Sequence, residues 1–127
     1  MKIKQTSVLV NDQEKALTFY TDILGFIKKT DIPVGEGRWL TVTSPDGPDD
    51  IELLLEPNGN LAAKTYQDAL FKQGIPLTSF NVEDTRAEYD RMKALGVVFT
   101  MPPTQMGPAL VAIFDDRCGN LIQIYQV

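Results

Sequence analysis

Apolar and polar positions alternate from Ile3 to Val10, the period of a half-buried strand. The pattern then changes period. Ala16, Leu17, Tyr20, Ile23 and Leu24 fall on one helix face. Asn11 is the expected N-cap, with Glu14 completing a capping box and Gly25 ending the helix. Extended segments are expected from Phe26 to Ile32, Trp39 to Thr43 and Ile51 to Glu56, with SPDGPDD (44–50) as a loop. A helix over 62–73 (AAKTYQDALFKQ) precedes Gly74. It carries Ala63, Tyr66 and Leu70 on one side and Ala62, Ala69 and Phe71 near the other, suiting it to bridge two modules or to enter a dimer contact.

The pattern then recurs. Leu77 to Val82 reads as a strand. Asp84 caps a helix whose inner face is Thr85, Tyr89, Met92 and Leu95, and Gly96 ends it. Val97 to Thr100, Leu110 to Phe114 and Leu121 to Tyr125 supply three further strands, while PPTQMGPA (102–109), by its prolines and glycine, reads as a loop. Val10-Asn11-Asp12 lines up with Val82-Glu83-Asp84, and Leu24-Gly25-Phe26 with Leu95-Gly96-Val97. Each half is therefore strand–helix–strand–strand–strand. A half with a single helix covers only one face of its sheet. The expected organisation is one 127-residue domain, with a first repeat at about 1–57, a connecting helix at about 61–74 and a second repeat at about 77–127.

Strand parity divides the faces. Ile51, Leu53 and Leu55 oppose Glu52, Leu54 and Glu56; Ile122 and Ile124 oppose Leu121, Gln123 and Tyr125. Val8 and Val10 oppose Gln5, Ser7 and Leu9, and Phe80 and Val82 oppose Leu77, Ser79 and Asn81. One face of each strand is wholly apolar, suited to lie under a helix. The other mixes apolar groups with a few amides, hydroxyls and acids, as ligand cavities do.

Composition narrows the chemistry. A net charge of −5 with scattered Lys and Arg argues against nucleic acid, which demands a basic face. The opening MKIKQTSVLVND is too short and too alternating for a signal peptide, and no apolar run reaches membrane-spanning length, so the expected location is the cytoplasm. One cysteine, Cys118, excludes an internal disulfide. The sequence has no histidine. That removes Ser-His-Asp and Cys-His nucleophile systems, His-based zinc sites and the usual general base near neutral pH.

The two βαβββ repeats, with VLVND…ALTFYTDILGF, WLTVTSPDG, IELLLEP and VAIFDDRCGNLIQI, resemble the vicinal oxygen chelate superfamily, which includes glyoxalase I, bleomycin-resistance proteins and extradiol dioxygenases. The resemblance spans essentially the whole chain. It implies an α+β fold in which two tandem βαβββ modules form a curved eight-stranded mixed sheet with a concave cup and helices outside. It also implies a homodimer. In metal-dependent members four ligands line the cup, and the corresponding positions here are Gln5, Glu52, Leu77 and Gln123. Leu77 has no donor atom, and Gln123 stands where relatives keep a carboxylate. One carboxylate with two amide oxygens holds a divalent ion weakly.

The expectation is a small-molecule binding protein without a catalytic metal or other cofactor. Its guest would be cationic or aromatic, contacted by Trp39 and Tyr125 and oriented by Gln5, Glu52 and Gln123. The enzyme alternative is a lyase or isomerase of the glyoxalase I type, with one divalent metal ion on Gln5, Glu52 and Gln123. A third alternative is a structural or regulatory dimer without a cognate ligand. Gln5, Glu52 and Gln123 also read as a hydrogen-bonded polar cluster, and Trp39 also as ordinary core. Cys118 reads as a small turn residue, and Asp115 and Asp116 as capping groups for that turn. Glu56, about 7 Å along the strand from Glu52, reads as a solvated strand-end acid. Phe26, Phe99 and Phe114 are core by default. Met101 and Met106 flank or lie in the 102–109 loop, expected to border the cup as a lid.

Overall fold

The structure, a computed structural model, describes residues 1–127 and falls into two compact units, Met1–Lys64 and Thr65–Val127. The first contains β1 (Gln5–Val10), α1 (Gln13–Thr18), a π-helical turn at Phe19–Ile23, β2 (Ile27–Val34), β3 (Gly37–Thr43) and β4 (Glu52–Pro57). α2 (Leu61–Lys72) crosses the boundary. The second unit continues with β5 (Thr78–Asn81), α3 (Thr85–Ala94), β6 (Phe99–Met106), β7 (Ala109–Asp115) and β8 (Leu121–Gln126). The eight strands divide into two four-stranded mixed sheets of matching order, β1-β4-β3-β2 and β5-β8-β7-β6. In each, the first strand runs parallel to the last and the other pairings are antiparallel. This is the tandem βαβββ pattern of the sequence, with the strands divided four and four.

In the first unit α1 packs on β3 and β4. Val8, Val10, Leu40, Val42 and Leu55 are buried beneath it with Ala16, Phe19 and Tyr20. In the second, α3 packs on β6, β7 and β8, burying Met92 over Ala112, Phe114, Ile122 and Ile124. Each fully buried aliphatic or aromatic side chain of this kind contributes about 1.5–3 kcal/mol. The apolar faces are those that parity assigned.

Several local expectations are corrected. The first N-cap is Asp12, one residue after Asn11: its carboxylate accepts from Lys15 N at 3.0 Å. Asp84 caps α3 as expected, accepting from Ala87 N. Leu95 is the C-cap of α3 and is 48% exposed, because the helix has ended before it can turn inward. The buried residue of α2 is Gln67, while Tyr66 and Phe71 are exposed. PPTQM is strand, not lid loop: β6 continues to Met106 and turns through Gly107 into β7. Prolines are tolerated there because β6 is an edge strand and its register jumps from Met101 to Thr104, skipping both Pro102 and Pro103.

Candidate functional site

The face of the first sheet opposite α1 is built from in-register rows. Gln5 lies beside Glu52, Ser7 beside Leu54 and Leu9 beside Glu56 on the parallel pair β1–β4. On β3, Thr41 lies opposite Leu54, and parity puts Trp39 and Thr43 on the same face. β2 adds Ile27, Thr30, Ile32 and Val34, opposite Thr43, Thr41, Trp39 and Gly37. These rows carry two carboxylates, Glu52 and Glu56, and no cation. Three of the sequence-predicted residues, Gln5, Trp39 and Glu52, thus share one face.

Glu52 is half-buried and held in place: its Oε1 accepts from the Thr41 hydroxyl at 2.7 Å, and the Thr41 Oγ1 in turn accepts from Thr30 N at 3.2 Å. Trp39 is 42% exposed, so it is not ordinary core. It borders an open groove of about 240 Å³, lined by Val34, Gly37, Trp39, Leu54, Glu56, Pro57 and Arg38. The Arg38 guanidinium is engaged by Asp31 and Glu14. The Arg38 hydrogen bond holds the Asp31 carboxyl below its usual range, against a partial desolvation that raises it, and the two acids push the Arg38 guanidinium further up. Glu56 is the one carboxylate among the residues that line the groove.

Gln123 and Tyr125 share a face of the second sheet with Leu121. Their register partners on β5 are Ser79 and Asn81, and on β7 Ile113 and Val111. The Gln123 amide donates to the Ser79 hydroxyl at 3.2 Å. Leu77 lies just before β5, its N–H donating to Leu121 O. Asp115 and Asp116 hold the β7–β8 turn. Asp116 Oδ1 accepts from Cys118 N and Asn120 N, its Oδ2 accepts from the Asn120 amide, and Asp115 Oδ1 accepts from Arg117 N. Cys118 is fully buried in that turn.

Three glutamines act where no sequence motif pointed. Gln13 bridges β3 and β4 through their backbones. Gln67 donates to Cys118 O at 3.2 Å and Asn120 Oδ1 at 2.9 Å. Gln126 Oε1 accepts from Thr85 N at 2.7 Å. A lone amide carries no periodicity; the only usable signal was Gln13 standing directly after a capping Asp.

No three or more acidic or thiol side chains converge anywhere in the chain. Glu52 is the one anionic candidate ligand, and one of its oxygens is already engaged by Thr41. Hard cations in oxygen sites call for more negative charge, and borderline ions for imidazole or thiolate. The residues present do not fit a tightly held metal.

Two βαβββ modules in tandem, each with one helix-covered face and one mixed face, define a tandem-module α+β protein. The chain belongs to the Glyoxalase/Bleomycin resistance protein/Dioxygenase superfamily, whose family model matches residues 2–124. It is 57% identical over 126 residues to YurT of Bacillus subtilis (strain 168), covering 99% of both chains. It is 28% identical to a probable lactoylglutathione lyase of Synechocystis sp. (strain ATCC 27184 / PCC 6803 / Kazusa), covering 99% of this chain and 95% of that one. Among solved structures it is similar to TnmS3, an antibiotic binding protein from Streptomyces sp. CB03234. That match has a TM-score of 0.75 and 29% identity and covers 99% of this chain and 95% of the other. No helix is long and apolar enough to cross a membrane.

Proposed function

We propose that this is a small-molecule binding protein of the glyoxalase/bleomycin-resistance type, working without a catalytic metal as a cytoplasmic homodimer. Its guest is a planar aromatic compound, favourably a cationic one, received at the groove of the first sheet. The observation that carries this reading is the exposed indole of Trp39 in one groove with the Glu56 carboxylate and apolar walls from Val34, Leu54 and Pro57. An indole face attracts cations and stacks on planar rings, and a nearby carboxylate adds Coulomb attraction. Gln5 and Glu52 extend the same face as orienting groups, and Gln123 and Tyr125 play that part on the second sheet. The likeness to an antibiotic binding protein supports the reading.

Trp39 is the only tryptophan, so its fluorescence reports the groove without labelling. Titration with proflavine, a planar aromatic cation, is expected to quench it saturably and to raise the melting temperature by mass action. Glu56→Gln should weaken binding about fivefold, the equivalent of ~1 kcal/mol for a surface charge pair. Binding unchanged in both Glu56→Gln and Trp39→Leu would refute the groove as the site. Absence of binding across proflavine, ethidium and bleomycin would favour a dimer with no cognate ligand.

The second reading is a divalent-metal lyase or isomerase, favoured by the Synechocystis relative and by the carboxylate at Glu52. Metal analysis of the purified protein separates the two. One tightly bound nickel, zinc, manganese or iron per chain, lost in Glu52→Gln, would establish the enzyme reading against ours.

A further inference from the structure

β3 and β4 pair at Thr41↔Leu54 and Val42↔Leu53. Continued towards the groove, that register would set Leu40 opposite Leu55 and Arg38 opposite Pro57. Proline has no N–H, so the Arg38 carbonyl would find no donor on β4. Strand backbone groups left unpaired away from water are costly, and some other group has to serve them. Gln13, the first residue of α1, does so. Its Nε2 donates to Arg38 O at 2.7 Å and to Leu55 O at 2.9 Å, while its Oε1 accepts from Arg38 N at 3.0 Å. Both amide N–H groups are thereby committed.

One side chain thus stands in for the last rungs of the ladder. Two hydrogen bonds and a planar amide now lie in series where a rung would have one hydrogen bond, so the strands are held further apart than direct pairing would hold them. Gly37 leaves room for this: a Cβ there would lie 3.3 Å from Gln13 Oε1 and 3.4 Å from Pro57 Cγ. Trp39 follows Arg38 on one strand and Glu56 follows Leu55 on the other, and both line the groove.

We propose that Gln13 is a positioning residue: its amide fixes the separation of β3 and β4, and with it the width of the groove and the placement of Trp39 against Glu56. The ligand consequence rests on the groove being the binding site; the geometric claim does not.

The test uses Trp39 as the reporter and acrylamide, a small neutral quencher, as the probe. Gln13→Met keeps the length and removes every hydrogen bond; Gln13→Glu keeps the acceptor for Arg38 N and removes both donors. Both are expected to shift the Trp39 emission maximum and its acrylamide quenching constant, the Met variant more. Asp84→Ala, which removes the α3 cap, is the control for general destabilisation and should leave both readouts at the wild-type value. Unchanged Trp39 readouts in both Gln13 variants, or an equal shift in Asp84→Ala, would overturn the proposal. Hydrogen exchange adds a measurement free of the indole: protection of the Arg38 amide should fall about tenfold in Gln13→Met, and retained protection would also overturn it. Proflavine affinity then separates the two claims. It should weaken about tenfold in Gln13→Met. If Trp39→Leu leaves proflavine binding intact, the groove reading fails while the geometric claim stands on the acrylamide result.

Discussion

Gly119→Ala is expected to be among the most damaging single-methyl additions in the second unit. Gly119 has φ +100°, a backbone region that L side chains rarely adopt, and a Cβ there would lie 2.9 Å from Gln67 Nε2 and 3.1 Å from its Cδ. The conformational part costs about 1–2 kcal/mol. The steric part cannot be relieved cheaply, because Gln67 is 1% exposed and its amide is held by Cys118 O and Asn120 Oδ1. Displacing it leaves buried polar groups unpaired, a further cost of about 1–3 kcal/mol. Gly74→Ala isolates the conformational part in the same unit: its φ is +73° and no atom lies within 4 Å of the added carbon. Urea-induced unfolding followed by circular dichroism should therefore show Gly119→Ala less stable than Gly74→Ala by about 1–3 kcal/mol, a midpoint difference on the order of 1 M. Adding Gln67→Ala to Gly119→Ala should destabilise less than the two single changes summed. Equal costs at the two glycines, or additivity within ~0.5 kcal/mol, would refute the assignment of Gln67 as the constraint.

Thr41→Val keeps the shape of a fully buried side chain and removes its hydroxyl from Glu52 and Thr30 N; unfolding should show a loss of about 1–3 kcal/mol. Asp31 has a folded-state pKa below the ordinary 3.8, first through the Arg38 hydrogen bond. Its contribution is therefore complete well above 3.8 and is lost as pH falls through the lowered folded value. Asp31→Asn should accordingly lower the urea midpoint near neutrality and flatten its decline below about pH 4, and a midpoint unchanged at both ends would count against the Asp31–Arg38 pair. Asp12→Ala removes the α1 cap that Asn11 was expected to supply and should cost about 1 kcal/mol, where Asn11→Ala costs little.

The module plan was legible because it rests on periodicity and on parity, which act on every residue of a strand or helix. Val8, Val10, Ile122 and Ile124 declared their buried face by alternation alone, and Asp84 declared a helix start by its type and position. The misplacements have local causes. Asn11 and Asp12 are both good caps, and composition could not choose between neighbours. Pro102 and Pro103 read as loop because their missing N–H groups exclude a central strand; that β6 is an outer strand is a fact of pairing, not of local sequence. The site was half legible for the same reason. Parity put Gln5 and Glu52 on the mixed faces of their own strands, but Trp39 joins them only through the β3–β4 register, the groove arises where β3 and β4 stop pairing, and Gln13 meets Arg38 and Leu55 only after the chain has folded.

The proline positions bear on how these molecules behave when crowded. β2 and β6 are the outermost strands of their sheets on the side away from β1 and β5, and each contains proline: Pro33 next to the end of β2, and Pro102 and Pro103 in the middle of β6. Pro33 lies opposite Arg38, whose own N–H and C=O are turned to Gln13, so the backbone groups at position 33 face the open edge. A foreign strand aligning there would meet a gap in the row of donors, and at Pro102–Pro103 it would meet a second break. Exposed edges otherwise template the addition of further chains. The prolines, two of which made one segment look like a loop, thus disfavour the addition of a further strand at these two edges.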